Sequence, residues 1–178
     1  MDLEMTGLDP LNDVIIEIAT VLTDDELGTI AEAPTLVLHA SDERLESMVQ
    51  VVKEMHGASG LTEEVRRSTT TIEEANSMLL EFLAASRVPK REVPLAGNSI
   101  GTDRRFLQQY LPQVESWLHY RNVDVSTIKE LARRWRPDVL PSAPEKPTNH
   151  RALDDIRASI EELRYYRASM FAPAPATP

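Results

Sequence analysis

Cysteine is absent from this chain of 178 residues, which excludes disulfide bridges, thiolate zinc ligands and a cysteine nucleophile. The same absence favours an intracellular setting, and we predict a cytoplasmic protein. Basic residues are fewer than acidic ones: the chain has 19 Lys and Arg and 29 Asp and Glu, which gives a net charge of −10. This balance argues against a broad cationic surface for long nucleic acids, whereas short or small substrates stay open.

Long hydrophobic runs and several well-known catalytic motifs are also missing. The most apolar stretch, residues 14–22, contains Glu17 and is too short to span a bilayer, and the acidic start lacks the basic region of a signal peptide. No Gly-x-Gly-x-x-Gly, phosphate-loop, His-Glu-x-x-His or serine-elbow sequence occurs. These absences predict a protein without a membrane association, whose chemistry depends on other side chains.

Hydrophobic periodicity predicts a single α/β domain over residues 1–171, followed by a flexible Pro/Ala-rich tail at 172–178. Strands are predicted at 14–22, 34–38, 93–97 and 123–125, and three helical segments between 41 and 83, the last opened by a Thr71–Glu74 capping box. Helices follow at 104–111 and 126–135, the latter with Ser126 as N-cap, and a proline-rich loop at 137–147 precedes a final helix with Leu153, Ile156, Ile160 and Leu163 on one face.

Asp2 and Glu4 are separated by one residue, so an extended chain would place both carboxylates on the same side of a strand. Two such oxygen ligands suit Mg²⁺ or Mn²⁺. A lone Asp-x-Glu is also common on solvated strands. The turn residues that follow would put these acids at a strand end, where α/β sheets place their sites.

Asp103 and Asp155 are two further acidic candidates. Asp103 ends a polar loop that opens a helix after a strand, a position also typical of an acid that simply complements the helix dipole. At about 100° per residue, Asp155 lies on the flank of the apolar face of the last helix, and Asp154 lies nearly opposite that face. Asp155 is therefore predicted to face a cleft and Asp154 to face water.

His150 precedes the last helix and could act as a general base near neutral pH, although a lone histidine is often structural. Acids with one histidine fit two-metal phosphodiester hydrolysis, in which one ion activates water and the other stabilises the leaving oxygen. We therefore expect two divalent ions, Mg²⁺ or Mn²⁺.

Three segments carry a family resemblance: Asp-Leu-Glu-Met-Thr-Gly-Leu at 2–8, Asn-Ser-Ile-Gly-Thr-Asp at 98–103 and His-Arg-Ala-Leu-Asp-Asp at 150–155. Together they resemble the motifs of the DEDDh family of 3′→5′ exonucleases, and residues 56–61 and 119–135 are similar to its oligoribonuclease branch. The resemblance implies a ribonuclease H-like fold with a mixed five-stranded sheet flanked by helices. It also implies a first strand without its first half, since family members have several apolar residues before the first acid.

The resemblance implies a role for eleven residues of this chain. The metal ligands would be Asp2, Glu4, Asp103 and Asp155, with His150 as the base. Leu8 would wedge between bases and His56 would lie beside the 5′ base, while Ser99, Arg121 and Ser126 would hold the 5′ phosphate, with Tyr120 reaching across from the second protomer of a homodimer.

The leading interpretation is an exoribonuclease that degrades short single-stranded RNA, including linear dinucleotides, to mononucleotides. A proofreading or tRNA-trimming exonuclease of the same fold is the nearest alternative, disfavoured by the acidic balance and the phosphate-pocket residues. The second alternative is a catalytically impaired interaction domain, which is disfavoured because all five predicted catalytic residues are present.

Overall fold

The computed structural model describes residues 1–145 and 150–171 of the chain. Over these residues, five strands are followed by four helices, and strands then alternate with helices from residue 94 onward, which confirms the predicted α/β class. The strands are β1 (Asp2–Met5), β2 (Ile15–Ala19), β3 (Val21–Thr23), β4 (Thr29–Glu32), β5 (Leu36–Val37), β6 (Pro94–Gly97) and β7 (His119–Asp124). The helices are α1 (Asp42–Ser47), α2 (Gln50–Ala58), α3 (Leu61–Arg67), α4 (Ile72–Ala85), α5 (Gly101–Tyr110), α6 (Pro112–Trp117), α7 (Val125–Trp135) and α8 (Ala152–Met170).

The strands of the described residues pair in three small ladders, which corrects the predicted five-stranded sheet. Strand β2 lies between β1 and β5 and is antiparallel to both, β3 and β4 form an antiparallel hairpin, and β6 and β7 are parallel. The Met1 ammonium donates to the Ala96 carbonyl oxygen at 3.1 Å, so β1 lies beside β6. This bond and a shared apolar cluster join the first and third ladders without making them a continuous sheet.

The apolar run at 14–22 forms two strands instead of the one predicted. All of β2 is buried, whereas β3 is half-buried and pairs with β4. The chain changes ladders at Thr20, whose carbonyl oxygen accepts from the Ala33 amide at 3.0 Å. Strand β4 was not predicted because it is largely exposed and shows no apolar alternation.

Four helices, not three, occupy the segment between β5 and β6. An extended backbone at Met48 and Val49 separates α1 from α2 and turns Met48 into the core. The predicted capping box is confirmed at α4, where Thr71 and Glu74 bond each other's backbone amides.

Helix α7 begins one residue earlier than predicted, and its N-cap is Asp124 rather than Ser126, because the Asp124 carboxylate accepts from the Ser126 amide at 2.9 Å. Strand β7 also begins earlier than the predicted 123–125. The predicted loop at 137–147 begins with a 3-10 helix (Pro137–Ser142), and its residues 146 and 147, like the tail at 172–178, lie outside the described residues.

Helix α8 packs across β1 and β2, where Ala152 and Ile156 contact Ala19, so its first turn lies over the strand that carries Asp2 and Glu4. A larger apolar cluster joins β1, β2, β5, β6 and helices α4 to α6. No helix within residues 1–145 and 150–171 is both long enough and apolar enough to cross a bilayer.

Candidate active site

Three carboxylates converge where β1 meets α8. Each of Asp2, Glu4 and Asp155 offers an oxygen within 4.8 Å of the others. Strand β1 supplies the first two on one side because they are two residues apart, and the first turn of α8 supplies the third. Asp155 is thus on the side of α8 that the sequence predicts, whereas Asp154 lies near Arg157, with 3.7 Å between the carboxylate and the guanidinium.

Asp103 is held against the backbone between the first two acids. It lies in the first turn of α5 and is buried, and its Oδ1 accepts from the Leu3 amide at 3.0 Å. This bond ties α5 to β1 at the residue between Asp2 and Glu4. The fourth predicted acid therefore borders the cluster of three.

The cluster is electrostatically unfavourable without a cation. Burial, and after it the neighbouring carboxylates of Asp2 and Asp155, together raise the pKa of Glu4 to about 9. Burial likewise raises the pKa of Asp103 to about 6, although hydrogen bonds from backbone amides oppose the shift. Since each acid would be stabilised in its ionised form by a nearby positive charge, the donor set fits a divalent ion.

His150 is exposed and immediately precedes Arg151, the N-cap of α8. Its φ of 45° lies in the left-handed region, as does the φ of 52° at Ser99, another predicted site residue. Such conformations are unfavourable for residues other than glycine and are enriched at functional sites. They also occur at Leu27, Arg87 and Arg91, so the conformation alone does not identify a site.

A partly buried ion pair fixes the start of α8 directly after His150. The Arg151 guanidinium donates to Glu17 Oε1 at 2.7 and 2.9 Å, and the Ala152 amide donates to Glu17 Oε2 at 2.9 Å. The other side of the guanidinium binds both carboxylate oxygens of Glu64, at 2.9 and 2.8 Å. Because the side chain of Glu17 is only 1% exposed, this clamp anchors α8 to β2 from within the core.

The two residues predicted to contact bases lie in different environments. Leu8 follows β1 and is 70% exposed. His56 is fully buried under β1, where its Nε2 is 3.0 Å from the Met5 carbonyl oxygen and its Nδ1 is 3.9 Å from Glu4 Oε2. Burial lowers the pKa of His56. The structure therefore places Leu8 at the surface and His56 beneath the acids.

Ser99 and Ser126 are brought together, as a shared pocket requires. Their hydroxyl oxygens are 3.2 Å apart, and the Ser99 amide donates to Ser126 Oγ at 3.0 Å and to Asp124 Oδ1 at 3.0 Å. The pair forms because β6 and β7 are parallel, so the loop after β6 meets the start of α7.

Tyr120 and Arg121 lie on β7, and both are exposed, with Arg121 over the Tyr120 ring at 5.4 Å. The backbone of this strand is held by Arg104, whose guanidinium donates to the carbonyl oxygens of His119 at 2.8 Å and Tyr120 at 3.1 Å. It also donates to Asn122 Oδ1 at 2.7 Å and pairs with Glu115 at 2.9 Å.

Arg104, Arg151 and Glu17 were missed by sequence reasoning as supports of the site. For Glu17 the available signal was its position inside the apolar run at 14–22, because a buried acid requires a partner. Nothing in the local sequence indicated that Arg104, next to Asp103, reaches β7.

A model of the family described as Exonuclease (RNase_T) matches residues 1–163. Over 173 residues the chain is 53% identical to an oligoribonuclease of Pseudomonas syringae pv. syringae (strain B728a), covering 97% of this chain and 95% of that protein. It is 54% identical to the oligoribonuclease of Marinobacter nauticus over 171 residues, covering 96% and 94% of the two chains. The oligoribonuclease of Halorhodospira halophila is 55% identical over 167 residues, which cover 94% and 90%.

A solved structure of exonuclease I from Methylocaldum szegediense is similar in fold, with a TM-score of 0.64 at 22% identity. The similarity covers 95% of this chain and 40% of that one. The fold of this chain is therefore similar to that of part of a known exonuclease despite low sequence identity.

Proposed function

We propose that this chain, which belongs to the exonuclease family and within it to the oligoribonucleases, hydrolyses very short oligoribonucleotides. It is a 3′→5′ exoribonuclease of ribonuclease H-like fold. Dinucleotides and chains of up to about five residues would be the substrates, and nucleoside 5′-monophosphates the products. Linear dinucleotides are included.

Asp2, Glu4, Asp103 and Asp155 would hold two divalent ions, Mg²⁺ or Mn²⁺. Support comes from the three carboxylates within 4.8 Å of one another and from the raised pKa of Glu4, both of which a cation would relieve. When bound, the ions supply positive charge that activates water and stabilises the leaving oxygen. The chain's part is to keep four acids at fixed separations, which β1, α5 and α8 do through the Leu3–Asp103 bond and the Arg151 clamp.

His150 would accept the proton of the attacking water. Its exposed position allows contact with solvent and substrate, and its place directly before the clamped turn of α8 limits its motion relative to Asp155. A neutral imidazole at such a position can act as a general base near neutral pH.

The 5′ end of the substrate would bind at a second place on the same face. Ser99, Ser126 and Arg121 would hold the terminal phosphate, since hydroxyls and a guanidinium can bind one phosphate without a long basic track. This local binding is compatible with a net charge of −10. Leu8 would contact the bases directly because it is exposed, and the buried His56 would lie behind this contact, beneath β1.

The active form would be a homodimer in which Tyr120 of the partner subunit completes the phosphate pocket. The 73% exposure of Tyr120 supports a role outside the packing of its own chain. The cytoplasm stays the predicted location.

The convergence of the Asp2, Glu4 and Asp155 carboxylates is the observation that carries this proposal. The test is to incubate the protein with Mn²⁺ and 5′-phosphorylated RNAs of two, five and twenty residues. Dinucleotide cleavage should be fastest, a chelator should abolish it, and Asp103→Asn should remove activity while keeping the fold, because an amide cannot balance metal charge. Equal rates at all three lengths would favour the trimming-exonuclease alternative.

A further inference from the structure

An unbroken series of hydrogen bonds joins the first turn of α8 to the Ser99–Ser126 pair. Ser159 Oγ donates to the Asp155 carbonyl oxygen at 2.7 Å, and Asn98 Nδ2 donates to Ser159 Oγ at 2.7 Å. On the other side, Ser126 Oγ donates to Asn98 Oδ1 at 3.1 Å and accepts from the Ser99 amide at 3.0 Å. Asn98 is the residue through which the two halves of this series connect.

A buried acid fixes the orientation of the Asn98 side-chain amide in this series. Glu162 is 1% exposed, pairs with Lys129 at 3.1 Å, and accepts from Asn98 Nδ2 at 3.4 Å. Ser159 already gives its only hydroxyl proton to Asp155, so it too can only accept from Asn98. Both neighbours thus require the amide NH₂ of Asn98 to face α8, and its carbonyl oxygen must face Ser126.

This arrangement fixes the position of one predicted binding site relative to the other. Asp155 belongs to the acidic cluster, and Ser126 belongs to the predicted phosphate pocket. A hydrogen-bonded bridge that is half-buried and specific in direction would keep the two at a set distance. A substrate that must engage both sites at once is sensitive to this distance, whereas a longer chain that uses only the acidic cluster is not.

We propose that Asn98 is a positioning residue that sets the distance from the acidic cluster to the phosphate pocket and thereby favours the shortest substrates. The inference rests on the proposed function, since it requires that Ser99 and Ser126 bind a 5′ phosphate. Asn98 does not contact the reacting atoms; it acts through Ser126 and Ser159.

Two variants break the bridge by different routes. Asn98→Ala removes its centre, and Ser159→Ala removes its link to Asp155 with a minimal change of volume. Ser169→Ala is the matched control, because Ser169 Oγ donates to the Tyr165 carbonyl oxygen at 2.8 Å in the same helix and by the same four-residue spacing. Circular dichroism and thermal unfolding would establish that each variant is folded.

The measurement is kcat/KM on a dinucleotide and on a five-residue RNA, each with and without its 5′ phosphate. We expect Asn98→Ala and Ser159→Ala to lower kcat/KM on the phosphorylated dinucleotide by about tenfold, the effect of one hydrogen bond, and on the five-residue RNA by less than about threefold. On the dinucleotide without phosphate, wild type and variants should be equally slow, because the pocket is not used. Ser169→Ala should match wild type throughout.

Two results would separate the hypotheses. If wild type is insensitive to removal of the 5′ phosphate, the proposed pocket is wrong. If wild type is sensitive but folded Asn98→Ala and Ser159→Ala lose activity equally at every length, or none at all, the role of Asn98 is refuted while the proposed function stands.

Discussion

Replacing Arg151 by methionine would leave the Glu17 carboxylate inside the core without its cation. Glu17 is 1% exposed and would keep only the Ala152 amide as a hydrogen-bond donor from this clamp. Breaking a buried pair by removing one partner typically costs about 3–5 kcal/mol, and the retained amide puts the expected loss near the lower end, about 3 kcal/mol. The same guanidinium also binds Glu64, whose side chain is 45% exposed, and an exposed pair is worth only about 0–1 kcal/mol.

Urea unfolding of the metal-free protein measures these differences directly. Arg151→Met should lower the free energy of unfolding by about 3 kcal/mol, whereas the control Glu64→Gln should lower it by less than about 1 kcal/mol. In a Glu17→Leu background, Arg151→Met should have little further effect, since no buried charge remains to be left unpaired. If Arg151→Met and Glu64→Gln cost the same, Glu17 does not depend on its cation and the clamp is not what holds α8.

Four further outcomes are expected. Asp155→Asn should lower the rate of RNA cleavage by a factor on the order of 10² or more while Asp154→Asn lowers it mildly, and the reverse ranking in a steady-state assay would show that Asp155 is not the acid that α8 contributes to the site. Folding raises the pKa of Glu4 from 4.5 to about 9, so the folded protein binds this proton more tightly than the unfolded chain does. The melting temperature of the metal-free protein should therefore fall as the pH rises from 4.5 to about 9. Mg²⁺ should reverse the fall and Glu4→Gln should flatten it; a pH-independent melting temperature would refute the assignment. His150→Ala should slow cleavage by about 10²–10⁴-fold, because the imidazole would no longer accept the proton of the attacking water; an unchanged rate would exclude His150 as base. Arg121→Ala should slow dinucleotide cleavage by about ten- to a hundredfold and cleavage of a five-residue RNA much less, and a uniform loss would remove Arg121 from length selection.

Features determined by neighbouring residues could be predicted from the sequence. The capping box of Thr71 and Glu74 depends on groups three residues apart, and the apolar face of α8 follows from a period of 3.6 residues. The side-by-side placement of Asp2 and Glu4 depends only on the alternation of an extended strand.

Features determined by distant residues could not be predicted in this way. The division of the apolar run at Thr20 depends on a bond to Ala33, which lies on the far side of a hairpin. Asp124 and Ser126 are both good capping residues, and the choice between them depends on the loop before α5, since the Ser99 amide also binds Asp124. Glu17 and Arg151 are 134 residues apart, so only the folded chain brings them together.

The covering of β7 by Arg104 has a consequence for what can associate with this strand. An unpaired strand edge normally offers its carbonyl oxygens as a template for a strand of another molecule. Here the acceptors of His119 and Tyr120 are already occupied by a guanidinium from the same chain. Another protein, or a peptide designed to extend the ladder, would have to displace Arg104 to dock by backbone pairing at these residues. Association at His119 and Tyr120 without this displacement would depend on side chains, such as those of the exposed Tyr120 and Arg121, and would therefore be selective for their chemistry.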